Sequence, residues 1–201
     1  MNNLLSSNTK ETIQATLLKL LVDRPIEQIT VTQIAAQTFI SRVHFYNCFT
    51  DKYDVLETIK QQFLLSFKLI LAENTDYLKN YKSYSDAKTR ELLYLNALKN
   101  INYIKKHHIH IQLLIKNDPV FLEEFYTSYY EHFLTAVPQE LTAEEHLIVI
   151  HYMTRGIFHA VFEVWLADQC QETPEKVAAD VIDLLMVSFK NICEKTTNNR
   201  R

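Results

Sequence analysis

One glycine, Gly156, occurs in the whole chain of 201 residues, where ordinary usage of about 7% would place about fourteen. Glycine enters positive φ without a steric penalty, and tight hairpins, bulges and phosphate-binding loops depend on it. A chain with one glycine is a poor candidate for a hairpin-rich sandwich or barrel. It also cannot carry the G-x-G-x-x-G dinucleotide loop or the P-loop. Rossmann-type dehydrogenases, P-loop NTPases and protein kinases are thereby excluded. The fold class that remains is all-α.

Composition sets the other bounds. Hydrophobic residues make up 47% of the chain and charged residues 22%, which describes a globular protein rather than a disordered one. The net charge is only −3, so no strong field draws a polyanion. Cys48, Cys170 and Cys193 lie far apart without C-x-x-C spacing, as reduced cytosolic thiols rather than a disulfide frame or zinc site. The start, Met1-Asn2-Asn3-Leu4-Leu5, has no basic segment before an apolar one, and the apolar run Phe63–Ala72 is interrupted by Ser66 and Lys68. A soluble cytoplasmic protein without a membrane partner is expected.

Helix punctuation is legible along the chain. Asn8 with Glu11 forms a box-like start for a first helix, whose Ile13, Leu17, Leu20 and Leu21 share one face before Pro25 stops it. Thr30-Val31-Thr32-Gln33 is a capping box for a short second helix. Ser41 caps a third, and Asp51 caps a long fourth carrying Val55, Ile59, Phe63, Phe67 and Leu71. The polar, tyrosine-rich stretch 75–86 reads as a loop. A fifth helix is expected over about Asp86–Lys106, and a sixth to about Lys116. Asp118-Pro119 and Thr173-Pro174 each place a cap before a proline, starting the seventh and ninth helices. Thr142-Ala143-Glu144-Glu145 caps the eighth, expected to run to about Ala167. The ninth should end near Lys195, leaving a frayed polar tail.

Helices two and three are separated only by Thr38-Phe39-Ile40, which is helix-turn-helix spacing. The third helix divides by face. Phe45 and Phe49 turn inward, while Arg42, Val43, His44 and Asn47 turn outward, where they can read base edges in a major groove. Tyr46, the hydroxyls of Thr30 and Ser41, and Lys52 are suited to phosphate oxygens. Charge adds nothing: over residues 1–60 six basic side chains meet six acidic ones, so non-specific affinity should be modest.

Thr30-Val31-x-x-Ile34-Ala35, Ile40-Ser41-Arg42 and Phe45-Tyr46-x-x-Phe49-x-Asp51-Lys52 resemble the DNA-binding signature of the tetracycline-repressor (TetR) family. The resemblance covers about fifty residues. It implies about nine helices, with a helix-turn-helix domain over 1–52 and a ligand-binding, dimerising domain over 53–201. It also implies a homodimer on a palindromic double-stranded operator, usually a repressor released by a small effector. Thr30, Tyr46 and Lys52 carry over as phosphate contacts, and Arg42, Val43 and His44 as base-facing positions. Two positions depart: the glycine of the turn is Phe39, and the aromatic before Phe49 is Cys48. A degenerate helix-turn-helix on a ligand-binding or adaptor protein is the alternative.

Helices seven and eight are rich in aromatics, and Phe125, Tyr129 and Phe162 are candidate ligand contacts among residues that could equally be core. His151, Arg155, His159 and Glu163 recur every fourth residue. They form either a solvated face or dimer seam, or a polar pocket in which Arg155 and His159 meet an anionic effector. The stretch Tyr103-Ile104-x-x-His107-x-x-x-Ile111 is similar to a TetR-type subgroup typified by the dihydroxyacetone-kinase activator. His107 and His110 could share a metal, but no thiolate or carboxylate nearby completes a set, so neither metal nor cofactor is expected. The apolar helices over 142–167 and 173–195 are the expected dimer interface. Gly156 in mid-helix suggests close approach by another helix or a ligand. H-E-x-x-H, G-x-S-x-G and Glu-x-x-His are absent, so an enzyme is not expected.

Overall fold

The computed structural model describes residues 2–73, 84–136 and 144–198, with side chains over 8–73, 84–135 and 146–188. Among the described residues there are nine α-helices and no strand. They are α1 (Asn2–Asp23), α2 (Val31–Gln37), α3 (Arg42–Tyr46), α4 (Lys52–Ala72), α5 (Asp86–Lys106), α6 (His108–Asn117), α7 (Phe121–Ala136), α8 (Glu144–Phe158) and α9 (Pro174–Asn198). A 3₁₀ turn, Ile26–Gln28, follows α1, and a π-helical run, His159–Trp165, prolongs α8.

Most caps lie where the side chains called for them. Thr30 makes the full capping box with Gln33, and Ser41 accepts from the His44 N–H at 3.1 Å. Asp51 accepts from the N–H groups of Tyr53 and Asp54 at 2.8 Å each. Thr173 accepts from Lys176 at 3.3 Å, ahead of Pro174. Each hydroxyl or carboxylate satisfies amides that the first helical turn leaves without partners. Two starts differ from expectation. α1 begins at Asn2, so Asn8 lies inside a helix already running, and its carbonyl accepts the Thr12 hydroxyl at 2.8 Å. After Pro119 the chain makes a turn, with Asp118 accepting from Val120, and α7 begins at Phe121. The expected cap at Thr142 and most of the loop expected over 75–86 lie outside the described residues.

Two compact units form. The first contains residues 1–65 and 109–122, and the second contains 66–108 and 123–201. The boundary expected near residue 52 therefore falls inside the first unit, because α4 runs on without a break and α6 returns to that unit. The core of the first unit is the face anticipated from periodicity: Ile13, Leu17, Leu21, Ile34, Phe45 and Val55 are fully buried or nearly so. Lys60 is 4% exposed and is neutralised by Glu57 at 2.8 Å and Asp118 at 2.9 Å. The Asn117 amide accepts from the Ile26 N–H at 2.9 Å, tying α6 to the 3₁₀ turn.

The core of the second unit is aromatic. Phe125 packs edge-on against Phe67 and Phe162 with centroids 4.7 and 4.6 Å apart, and Phe158 lies 4.5 Å from Phe162. Such pairs add about 0.5–1.5 kcal/mol each beyond the area they bury. Leu93 of α5, Met153 and Ile157 of α8, and Ile182 and Leu185 of α9 close the other side. In the π-helical run the Leu166 N–H reaches back five residues to Val161 at 3.0 Å, and the turn after the run ends in two left-handed residues, Gln169 at φ 56 and Cys170 at φ 54. His146–Trp165 is long and apolar enough to cross a bilayer by length and composition. Its Ile150, Ile157, Phe158 and Phe162 instead fill this core, and its outer face carries Arg155 and Glu163.

Candidate functional site

Two places in the molecule gather the candidate site residues. The first is the helix-turn-helix of the first unit. Phe45 is 0% exposed, and Phe49 packs beside it with centroids 6.2 Å apart. These two rings fix the roll of α3, which leaves Arg42, Val43, His44, Tyr46 and Asn47 all exposed, Val43 at 71%. The side chains of Thr30 and Ser41 are exposed as well, though each is already committed to a cap. In the turn, Phe39 stands at φ 55 with its ring 96% exposed. The backbone therefore keeps the left-handed conformation that a glycine would supply, at a steric cost, and the α2–α3 arrangement does not depend on the missing glycine. Cys48 is half-buried, with its N–H on the Phe45 carbonyl at 2.9 Å.

Lys52 has a structural task. Its ammonium donates to the carbonyls of Ile26, Glu27 and Ile29 at 2.7, 3.1 and 2.8 Å, so all three of its protons are used to close the end of the 3₁₀ turn. It also stands 5.1 Å from the centroid of the Tyr53 ring. Sequence spacing placed Lys52 beside the phosphate contacts but could not show these carbonyls, which come from residues 23 to 26 positions earlier.

The second place is a cavity of about 110 Å³ within the second unit, measured as the space open to water centres. By that measure one water needs only about 10–15 Å³, so the space suits a small molecule. Phe67 and Leu71 come from α4, and Leu93, Ala97, Ile101 and Ile104 from α5. Tyr129, His132 and Phe133 come from α7. The π-helical run and its approach add Phe158, Val161 and Phe162, and α9 closes the space with Ile182 and Leu185. The polar side chains in this apolar wall are Asn96, Asn100, His132 and Tyr129. Asn100 is 8% exposed and donates through Nδ2 to Asn96 O and Oδ1, both at 3.0 Å, while its own Oδ1 has no partner among the described residues. His132 Nε2 is likewise buried without a partner. Burial pushes the His132 imidazole below its ordinary value, which a bond to the Leu71 backbone partly offsets and nearby Lys68 reinforces.

Of the expected ligand contacts, Tyr129 and Phe162 line this cavity. Phe125 is 0% exposed and lies behind Phe162 as core. Arg155 and His159 are on the outer face of α8 and the π-helical run. Arg155 pairs with Glu123 at 2.9 Å and lies 4.4 Å from the Tyr126 centroid, and His159 stands 3.3 Å from Glu163. His151 completes this outer cluster, with its Nδ1 3.0 Å from the Tyr126 hydroxyl. The residues that sequence reasoning passed over are Asn96, Asn100 and His132. The first two have a signal: they are four apart, interleaved with the apolar Leu93, Ala97, Ile101 and Ile104 of one helix.

Gly156 is exposed, and a Cβ built there would meet nothing within 4 Å. Among the described residues neither a helix nor a side chain presses on it. It belongs to an exposed row, Ile148, Tyr152, Gly156 and Ala160, at four-residue spacing. On α9, Leu184 and Val187 are exposed at 47% and 62%. Among the described residues, no group of three or more His, Cys, Asp or Glu side chains could hold a metal. The His107 ring packs against Tyr103 with centroids 4.4 Å apart and planes tilted by 42°, and His108 Nδ1 bonds the Lys105 carbonyl at 2.8 Å.

Residues 91–186, just under half of the chain, match a TetR-type family described as "Transcriptional regulator C-terminal region". Among solved structures the fold matches the "Dihydroxyacetone kinase operon activator DhaS" with a TM-score of 0.62 and 21% identity, over 90% of this chain and 96% of that one. No curated protein sequence matches significantly.

Proposed function

We propose, from the match of residues 91–186 to a TetR-type C-terminal region, that this is a TetR-type, homodimeric, cytoplasmic, DNA-binding transcriptional repressor whose affinity for a palindromic operator is set by a small molecule in the second unit. The observation that carries this reading is the division of α3. With Phe45 held at 0% exposure, Arg42, Val43, His44 and Asn47 are presented to solvent together. Arg42 and His44 donate to guanine or other acceptor edges, Asn47 suits adenine, and Val43 meets a thymine methyl. Tyr46, Thr30 and Ser41 hold the phosphates, and Lys52 supports them by closing the 3₁₀ turn beside α2.

A dimer would bury the exposed apolar row of α8 together with Leu184 and Val187 of α9, in a two-fold four-helix seam. Gly156 and Ala160, the two small residues of that row, would let two helices approach closely. The effector would occupy the apolar cavity and act by binding one of two arrangements of the dimer better than the other. Because α3 carries few cations, discrimination should rest on base contacts more than on counterion release.

The test is selection of binding sites from random duplex DNA by the full chain, with the wild type compared with Arg42→Ala. A short palindrome should emerge, and the variant should relax preference at one position in each half-site. If the wild type enriches nothing, the reading fails. The alternative of a degenerate helix-turn-helix drew its support from Phe39, and that support weakens because the turn keeps its left-handed geometry.

A further inference from the structure

The cavity wall states what kind of molecule it accepts. Asn100 is more than nine-tenths buried, and its Nδ2 faces two acceptors on Asn96 at 3.0 Å each. Turning the amide over would bring its oxygen against those same acceptors, so the orientation is fixed and the unpartnered atom is Oδ1. The His132 ring atom buried without a partner is Nε2. A neutral imidazole nitrogen donates or accepts according to its tautomer, so a hydroxyl meets Nε2 in either form. Asn100 Oδ1 calls for a donor. Native interiors rarely leave buried acceptors unmade, and such sites commonly have a ligand or water to complete them.

The remaining wall excludes charge. Among the described residues no Asp, Glu, Lys or Arg lines the cavity, so a buried anion or cation would find no permanently charged partner in the wall. A carboxylate would also set its oxygens against Asn100 Oδ1. Extending the reading of this unit as the effector-binding one, we propose that the cavity takes a small, uncharged, chiefly apolar or aromatic molecule bearing a hydroxyl that donates to Asn100 Oδ1, with His132 Nε2 as a second polar contact. The aromatic lining from Tyr129, Phe158 and Phe162 supplies the apolar contact, and the Asn100 acceptor supplies the discrimination.

Three probes of one shape separate the possibilities. Phenol has a donor, anisole replaces it with an ether, and benzoate carries an anion. Binding to the full-length protein is measured by calorimetry, with methyl shifts of Ile101 and Leu185 reporting occupancy of the cavity itself. Phenol should bind at least about tenfold more tightly than anisole or benzoate, the size of one hydrogen bond left unmade. In Asn100→Leu the phenol preference over anisole should shrink toward parity. Anisole or benzoate binding as tightly as phenol in the wild type would overturn the donor requirement while leaving an effector cavity in place. If none of the three shifts the cavity methyls at millimolar concentration, the effector cavity itself is refuted, and the donor requirement with it.

Discussion

Replacing Phe39 by glycine should stabilise the first unit. Phe39 adopts φ 55 between α2 and α3, and its ring is 96% exposed. The left-handed region costs a residue with a Cβ about 1–2 kcal/mol, whereas glycine enters it freely but gives up about 0.5–1 kcal/mol more chain entropy on folding. The exposed ring contributes almost no burial to set against this. The balance is a gain of about 0.5–1 kcal/mol for Phe39→Gly. Phe39→Ala keeps the Cβ and should be nearly neutral, which separates backbone strain from loss of the ring. For a chain of this size the gain corresponds to about 1–4 °C in Tm. Urea unfolding followed by circular dichroism should show the glycine variant's midpoint raised with an unchanged slope. A midpoint at or below that of Phe39→Ala would refute the strain argument. A drop in DNA affinity shared by both folded variants would assign the ring a contact of its own.

Lys52→Met should destabilise the first unit by about 2–3 kcal/mol, because it strips a charged donor from three carbonyls; a denaturant midpoint within experimental error of wild type would contradict the clamp. Gly156→Leu should leave the monomer fold intact, since a Cβ there meets open space, and helix propensity even improves by about 1 kcal/mol. The same change should abolish a dimer seated on that row, which light scattering reads directly; an undiminished dimer places the seam elsewhere. His132 takes up protons less readily folded than unfolded, because burial lowers its value. The unfolded state therefore binds more protons once the pH falls below about 6.5. Stability from this group is present above that pH and lost on acidification, and His132→Gln should flatten the acid limb of a stability profile between pH 8 and 5. A profile identical to wild type would show that His132 does not titrate in this way.

Local chemistry was legible because it needs only neighbours. Thr30 with Gln33, Ser41 with the His44 amide, and Thr173 before Pro174 are short-range pairings, and the helices begin there. Asn8 misled for the same reason: a capping pattern of four residues cannot tell whether a helix is already under way. The inward set Phe45 and Phe49 followed from period 3.6 alone, and so did the outward set on α3. Burial of the cavity groups did not. Asn100 and His132 sit on helices 5 and 7 in chain order, and only the packing of α5, α7 and α9 turns them toward one space. Arg155 and His159 drew attention as charged groups in an apolar helix, yet long charged side chains find water and partners at the surface most cheaply. The π-helical run after Phe158 has no local signature, and the roles of Lys52 depend on carbonyls brought to it by folding.

The central claim is that α3 reads DNA sequence. Fluorescence anisotropy with two duplexes of equal length and composition, one the selected palindrome and one its shuffled counterpart, tests it most directly. At physiological salt the palindrome should bind at least about a thousandfold more tightly, the lower bound for specific over non-specific recognition. Equal affinity for the two duplexes, or no binding to either by a folded dimer, would contradict the account.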